Sequence, residues 1–190
     1  MEKIGYLEIA VGSMFSGKTE WIQSIYNKYK SSNNILVINN YLDVRYSSDE
    51  IVSHSGIKIP CIKVKNLESL LNNNKIQINN YDIILINEGQ FFQDLVSFVK
   101  KMLNKNKSIY ISGLDGDFQQ NKFGYILDLI PLCDSVIKLK ANCMYCKKEK
   151  SAIFSHRINN TNNSQTLIGS EESYIATCRK CYNILNSTLI

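Results

Sequence analysis

The sequence predicts an α/β protein on a mostly parallel sheet, with a small cysteine-bearing module at its C-terminal end. Three observations carry that expectation. Short apolar runs alternate with stretches whose apolar residues recur at helical spacing. A glycine-rich loop stands between the first run and the first helical stretch. From about residue 142 the alternation is lost and two close cysteine pairs appear.

Residues 6–11 are an apolar run of strand length, and residues 12–19 follow as Gly-Ser-Met-Phe-Ser-Gly-Lys-Thr. Over residues 18–30, Trp21, Ile22, Ile25, Tyr26 and Tyr29 keep the spacing of one helix face. Residues 35–38 predict a second strand. A polar segment with Asp43, Arg45 and His54 comes next, then a third strand over 61–64 and a short helix over 67–71. Residues 81–86 form a continuous apolar run, the pattern of a strand buried on both faces of a parallel sheet. It ends in Asn87 and Glu88. Leu95, Phe98, Val99, Met102 and Leu103 predict another helix, and 108–112 and 135–139 two further strands. Strands alternating with helices imply βαβ units with right-handed crossovers. The expected division is a nucleotide-binding kinase domain over 1–141 and a smaller module over 142–190.

Composition bounds the function. A chain of 190 residues with 44% hydrophobic content can bury a real core, which excludes global disorder. The net charge of +5 comes from scattered Lys and Arg. It suits an anionic partner such as a nucleotide, or simply a solvated basic surface. No run approaches 18 apolar residues and no signal-peptide pattern precedes the first strand. The expectation is a soluble, cytoplasmic chain with no membrane partner. The Asn-rich patches at 72–74, 159–160 and 162–163 read as lengthened loops.

The loop Gly12, Ser13, Met14, Phe15, Ser16, Gly17, Lys18, Thr19 matches the phosphate-loop pattern G-x4-G-K-[ST] in full. Backbone N–H groups in such a loop cradle phosphates at a helix N-terminus. The Lys reaches the β- and γ-oxygens, and the Thr19 hydroxyl is a ligand for Mg²⁺. Its place after a strand and before a periodic helix is the context the motif needs, so ATP-type nucleotide binding is expected.

Cys143 and Cys146, then Cys178 and Cys181, form two C-x2-C pairs with 31 residues between them. In a reducing compartment disulfides are disfavoured. Four thiolates suit a closed tetrahedral Zn²⁺ site of structural type. A redox pair is the rival reading, but one pair would suffice for that. His156 is a conceivable alternative ligand, although four Cys already complete the shell.

The ordered set of motifs resembles the thymidine kinases of the zinc-containing cellular and poxviral type. The resembling segments are 12–19, 43–48 (Asp-Val-Arg-Tyr-Ser-Ser), 88–92 (Glu-Gly-Gln-Phe-Phe), 113–118 (Gly-Leu-Asp-Gly-Asp-Phe) with Phe123 and Gly124, 138–144, 154–157 (Phe-Ser-His-Arg), 167–174 and 178–182. They cover nearly the whole chain. The resemblance implies ATP-dependent phosphorylation of the 5′-hydroxyl of thymidine, and of deoxyuridine, with Glu88 as general base. It places Asp43, Arg45, Asn87 and Gln90 with the phosphate loop on the ATP side. It places Met14, Phe91, Leu114, Phe118, Phe123 and Ser155 around the pyrimidine. A lasso loop carrying Leu167, Ile168 and Gly169 and closing with Tyr174 would cover the base, anchored by zinc in a ribbon-like module. A homotetramer is also implied. Zinc removal should then release thymidine before ATP.

Four positions depart from that pattern: Asn87 for an Asp, Ser13 for a Pro, Gln120-Asn121-Lys122 for Arg-Lys-Pro in a lid, and Ser170 for a Gly. Asn87 weighs most, because Asn keeps one acceptor oxygen but removes a full negative charge beside Mg²⁺. A catalytically weak or inactive relative that binds thymidine and nucleotide is the alternative. A zinc-ribbon nucleic-acid module on a P-loop ATPase is the other. Lys147, Lys148, Lys150, Arg179 and Lys180 are interleaved with Glu149, Glu171 and Glu172, which argues against a nucleic-acid partner.

Overall fold

The computed structural model describes residues 4–43, 50–52, 56–158, 165 and 172–187. Strand β1 (Tyr6–Gly12) leads through the loop into helix α1 (Lys18–Tyr29), and β2 (Ile35–Asn40) follows. A small antiparallel hairpin, β3 (Glu50–Val52) with β4 (Lys58–Pro60), precedes β5 (Ile62–Val64). After two 3₁₀ turns at Leu67–Leu70 and Ile78–Asn80 come β6 (Ile83–Ile86), a 3₁₀ turn at Gly89–Phe91 and α2 (Leu95–Leu103). Strand β7 (Ser108–Gly113), a longer 3₁₀ stretch at Ile126–Leu132 and β8 (Ser135–Leu139) complete the larger part. The tail holds β9 (Phe154–Arg157), β10 (Tyr174–Thr177) and α3 (Arg179–Ser187).

The six-stranded sheet runs in the order β5-β2-β6-β7-β1-β8, and every pairing is parallel. The continuous apolar runs explain this. In β6, Ile84 and Ile86 join the core formed with Phe98, Val99 and Met102 of α2. Ile83 and Leu85 point the other way, toward Ile22 of α1 and toward Ile51 and Ile59 of the hairpin. The period-two alternation thus fills both faces of one strand. At about 1.5–3 kcal/mol for each fully buried aliphatic or aromatic side chain, these two layers dominate the stability of the sheet.

All six strands end at the same edge, so the loops after β1, β2, β6 and β7 gather there. That carboxyl edge is where open α/β sheets place their ligands. Some expectations change in detail. The third strand starts at Ile62 rather than Cys61, and the short helix at 67–71 is a 3₁₀ turn whose Leu67 and Leu70 are buried. The tail, expected to lack pattern, contains an antiparallel hairpin, Tyr174 opposite Arg157 and Thr177 opposite Phe154, followed by a helix. Among the described residues no helix is long and apolar enough to cross a membrane.

Candidate active site

The phosphate loop keeps its form through its glycines. A Cβ on Gly12 would stand 2.6 Å from the Leu139 carbonyl oxygen and 2.7 Å from Ser16 Oγ. Gly17 precedes α1 at φ 86°, a left-handed conformation that glycine adopts without strain, and no side chain caps the helix there. The first N–H groups of α1 are therefore left for the loop side. Phe15 also has positive φ, at 64°. Lys18, 8% exposed, donates from Nζ to the Ser13 carbonyl at 2.7 Å across the loop. Ser13 Oγ and Ser16 Oγ are buried with no hydrogen-bond partner among the described residues. Buried hydroxyls without partners are costly, so a loop that leaves two of them suits a ligand with oxygens to share.

Glu88 stands at the end of β6 with φ 54°, a strained conformation for a non-glycine residue and one that recurs at functional sites. Gln90 holds it: Nε2 donates to Glu88 Oε2 at 2.7 Å, while Gln90 Oε1 accepts from the Leu114 N–H at 2.9 Å. Gln90 is itself clamped by two glycines. A Cβ on Gly113 would lie 2.5 Å from Gln90 Oε1, and one on Gly124, at φ 60°, would collide with the Gln90 carbonyl.

Asn87, 2% exposed, lies in a buried polar row. Its Oδ1 accepts from Ser112 Oγ at 2.9 Å and its Nδ2 donates to Asn39 Oδ1 at 3.3 Å. Asn39 Nδ2 in turn donates to Asp43 Oδ2 at 3.0 Å. Asp43 is presented by a tight turn in which its N–H bonds the Asn40 carbonyl, and Lys63 Nζ donates to its backbone oxygen.

Between these groups opens a cleft of about 900 Å³, counting its mouth. One wall is the loop from Met14 to Thr19, with Asp43 and Glu88 beside it. The other is apolar, made by Phe91, Leu114, Phe118 and Phe123, with Ser155, Gln165 and Tyr174 from the tail. Phe91 and Phe123 meet edge to face at 5.6 Å and 88°. Arg157, 1% exposed, lays its guanidinium 3.8 Å over the Phe118 ring and donates to the Tyr174 hydroxyl from Nε at 3.1 Å and Nη2 at 2.6 Å. Gln165 Nε2 donates to Asp117 Oδ2 at 2.8 Å, tying the tail to the loop after β7. That loop is a closed turn: Asp117 Oδ1 accepts the N–H groups of Gln119 and Asn121, Gln120 has φ 68°, and Lys122 pairs with Asp128 at 2.8 Å. The positive charge expected of a lid is thus engaged at the surface.

The four cysteines predicted as ligands come together, with all four Sγ atoms within 4.8 Å of one another and Cys146 Sγ 3.9 Å from Cys178 Sγ. Sulfurs around a tetrahedral zinc stand about 3.8 Å apart, given Zn–S bonds of about 2.3 Å. The residues present therefore fit the ion. Burial pushes the Cys143 thiol up, but backbone N–H groups of Cys146, Cys178 and Tyr145 outweigh it and bring its pKa to about 6. Burial and the neighbouring thiols push Cys181 up to about 12, a protonation that a bound cation would reverse. His156 is buried against Tyr182 instead, at 6.0 Å between ring centres, and belongs to no ligand group among the described residues. The wide gap between the pairs is the β9–β10 hairpin and its connection.

The cysteine module also touches the phosphate loop. Met14 N–H donates to Ser155 Oγ on β9 at 3.0 Å, and Phe15 packs on the cluster of Ala141, Cys143, Ala152, Ala176 and Cys181. The structure thus gathers Met14 through Thr19, Asp43, Glu88, Gln90, Phe91, Leu114, Phe118, Phe123, Ser155 and Tyr174 around one cleft, with Asn87 beneath it. Arg45, Leu167, Ile168, Gly169 and Ser170 lie outside the described residues. Sequence reasoning gave no role to Asn39, Ser112, Asp117, Arg157 or Gln165. Only Asp117 and Arg157 stand inside segments that carry the resemblance, 113–118 and 154–157.

A glycine-clamped phosphate loop facing an acid and an aromatic recess at the carboxyl edge of a parallel sheet defines a P-loop nucleotide-binding protein of the phosphotransferase kind. Known relatives narrow that class. The family model described as thymidine kinase matches residues 5–182. A thymidine kinase of Sheeppox virus is 40% identical over 179 residues, covering 94% of this chain and 97% of the relative. One of Mycoplasma mobile is 38% identical over 180 residues, covering 94% and 87%, and one of Oryza sativa subsp. japonica 38% over 185 residues, covering 94% and 66%. The chain belongs to the thymidine kinase family.

Proposed function

We propose that this thymidine kinase transfers the γ-phosphoryl group of ATP to the 5′-hydroxyl of thymidine, and of deoxyuridine, with Glu88 as the general base. One observation carries the reading: Glu88 stands where the phosphate loop and the aromatic recess meet, its carboxylate steered by Gln90. A nucleoside whose base lies among Phe91, Phe118 and Phe123 would present its sugar hydroxyl between that carboxylate and the loop. Glu88 then accepts the hydroxyl proton as the oxygen attacks. Lys18 and the loop N–H groups stabilise the charge on the transferred group, and alignment supplies much of the rest.

Thr19 and Asp43 offer hard oxygen donors in the same cleft, a set that suits Mg²⁺. That ion neutralises phosphate charge when bound. Arg45 would add charge on the ATP side, and residues 166–174 would cover the base. Residues 1–141 would carry nucleotide chemistry and 142–190 the zinc-held cover. Homotetrameric assembly and a cytoplasmic location belong to the same reading.

The test is Glu88→Gln. We expect kcat for thymidine phosphorylation to fall by about 10²–10⁴-fold, the usual worth of a general base. Thymidine and ATP binding, measured calorimetrically, should persist. A kcat within a few-fold of the parent would remove Glu88 from the chemistry.

A further inference from the structure

Asn87 stands where the resemblance leads one to expect an acid, and its partners show how the amide is used. Ser112 on β7 donates to Asn87 Oδ1, Asn87 Nδ2 donates to Asn39 Oδ1 on β2, and Asn39 Nδ2 donates to Asp43 Oδ2. The three bonds cross three neighbouring strands and all point one way, from the middle of the sheet to a carboxylate at the cleft. All four side chains are buried, Ser112 completely and Asp43 at 6% exposure. We propose that Asn39 is a positioning residue for the Asp43 carboxylate, and that Asn87 serves as a link in this row rather than as a metal ligand. The proposal rests on the reading of Asp43 as a group on the Mg²⁺–nucleotide side.

The donor and acceptor inventory allows one orientation of Asn39. Its Oδ1 takes two donors, the Asn87 amide at 3.3 Å and the Asn40 N–H at 3.0 Å. Its Nδ2 faces the carboxylate. Turning the amide over would set Oδ1 against Asp43 and NH₂ against two other donors. Donors aligned head to tail in a dry interior reinforce one another, so the row is a stiff support. Asp43 thus takes its donor from Asn39, whose orientation Asn87 fixes.

This inverts the intuitive effect of restoring the acid. Asp at position 87 has only acceptors when ionised. It keeps the Ser112 bond but meets Asn39 oxygen to oxygen. Relief requires Asn39 to turn over, which points its oxygen at Asp43 and releases that carboxylate. If position 87 were a metal ligand, Asn87→Asp would lower the Mg²⁺ requirement; through the row, it raises it.

The experiment measures ATP binding to the zinc-loaded full chain by calorimetry over a Mg²⁺ titration, so no turnover is needed. Asn39→Ala should raise the Mg²⁺ concentration for half-maximal ATP binding by about tenfold, the worth of one hydrogen bond to a charged group. Asn87→Asp should raise it as well, Ser112→Ala should raise it less, and thymidine affinity should hold in all three. A merely structural defect would weaken thymidine equally, and that result overturns the proposal. So does a lowered Mg²⁺ requirement in Asn87→Asp, or an unchanged one in Asn39→Ala. Should Asn39→Ala fail to fold, the sign for Asn87→Asp decides. ATP binding by the parent chain that ignores Mg²⁺ would instead sink the nucleotide-side reading of Asp43, and is seen before any variant is made.

Discussion

Arg157 shows how much of the aromatic recess depends on one buried cation. Its guanidinium covers the Phe118 ring, and its fork holds the Tyr174 hydroxyl through two nitrogens. A third contact, Nη2 to the Gln165 carbonyl at 3.4 Å, extends the hold toward the tail. Lysine could supply the charge but neither the flat stacking surface nor the two-point donation. Arg157→Lys is therefore expected to raise KM for thymidine by about tenfold, from the lost cation–π contact and one hydrogen bond. KM for ATP should stay near the parent value, because Arg157 grips Phe118, Tyr174 and Gln165 on the recess side of the cleft. Equal rises in both constants would mean that the residue supports the fold at large rather than the recess.

At the scale of elements, the turn after β6 is built around Gln90, and Gly124 is the piece that lets the chain pass it. With φ 60° and no room for a Cβ beside the Gln90 carbonyl, Gly124→Ala combines backbone strain with a steric push on Gln90. We expect a stability loss of about 1–3 kcal/mol, read from the urea midpoint. We expect a fall in kcat besides, because Gln90 also steers Glu88. Unaltered kcat at reduced stability would show that Glu88 keeps its place when the Gln90 backbone is pushed. Elements of this kind differ in how plainly the sequence announces them. The strands β1, β2, β6 and β7 were legible as unbroken apolar runs of strand length, and the helices α1 and α2 because apolar residues repeat at helical spacing over the whole element. Strand β9 was not, since its buried residues are Ser155, His156 and Arg157, polar groups on both faces that look like a surface loop. The β3–β4 hairpin buries one residue per strand, Ile51 and Ile59, too few for a period. The phosphate loop and the cysteine pairs were legible as local spacings, and Glu88 only through the resemblance. Asn39 was not, because its meaning comes from Asn87, 48 positions away.

Over the whole molecule, the cysteine module and the nucleotide-binding sheet share an interface at the phosphate loop. The resemblance implies a division of labour in which zinc removal releases thymidine before ATP. The contacts of Met14 and Phe15 argue for a graded coupling. Chelating the ion should unpin β9 and β10, and with them Ser155, Arg157 and Tyr174, so thymidine affinity should fall most. The loop also loses the acceptor for the Met14 N–H and the packing that holds Phe15 at φ 64°. One hydrogen bond and part of a buried aromatic together support ATP affinity by about 1–2 kcal/mol, a loss of roughly fivefold to thirtyfold. Gly17, Lys18 and the start of α1 keep the remainder, since they belong to the sheet rather than the tail. Calorimetric titration of ATP and of thymidine before and after a strong chelator measures both losses. Phe15→Ala with zinc bound should reproduce part of the ATP loss and little of the thymidine loss. ATP affinity indifferent to both treatments would show that the cysteine module does not support the phosphate loop.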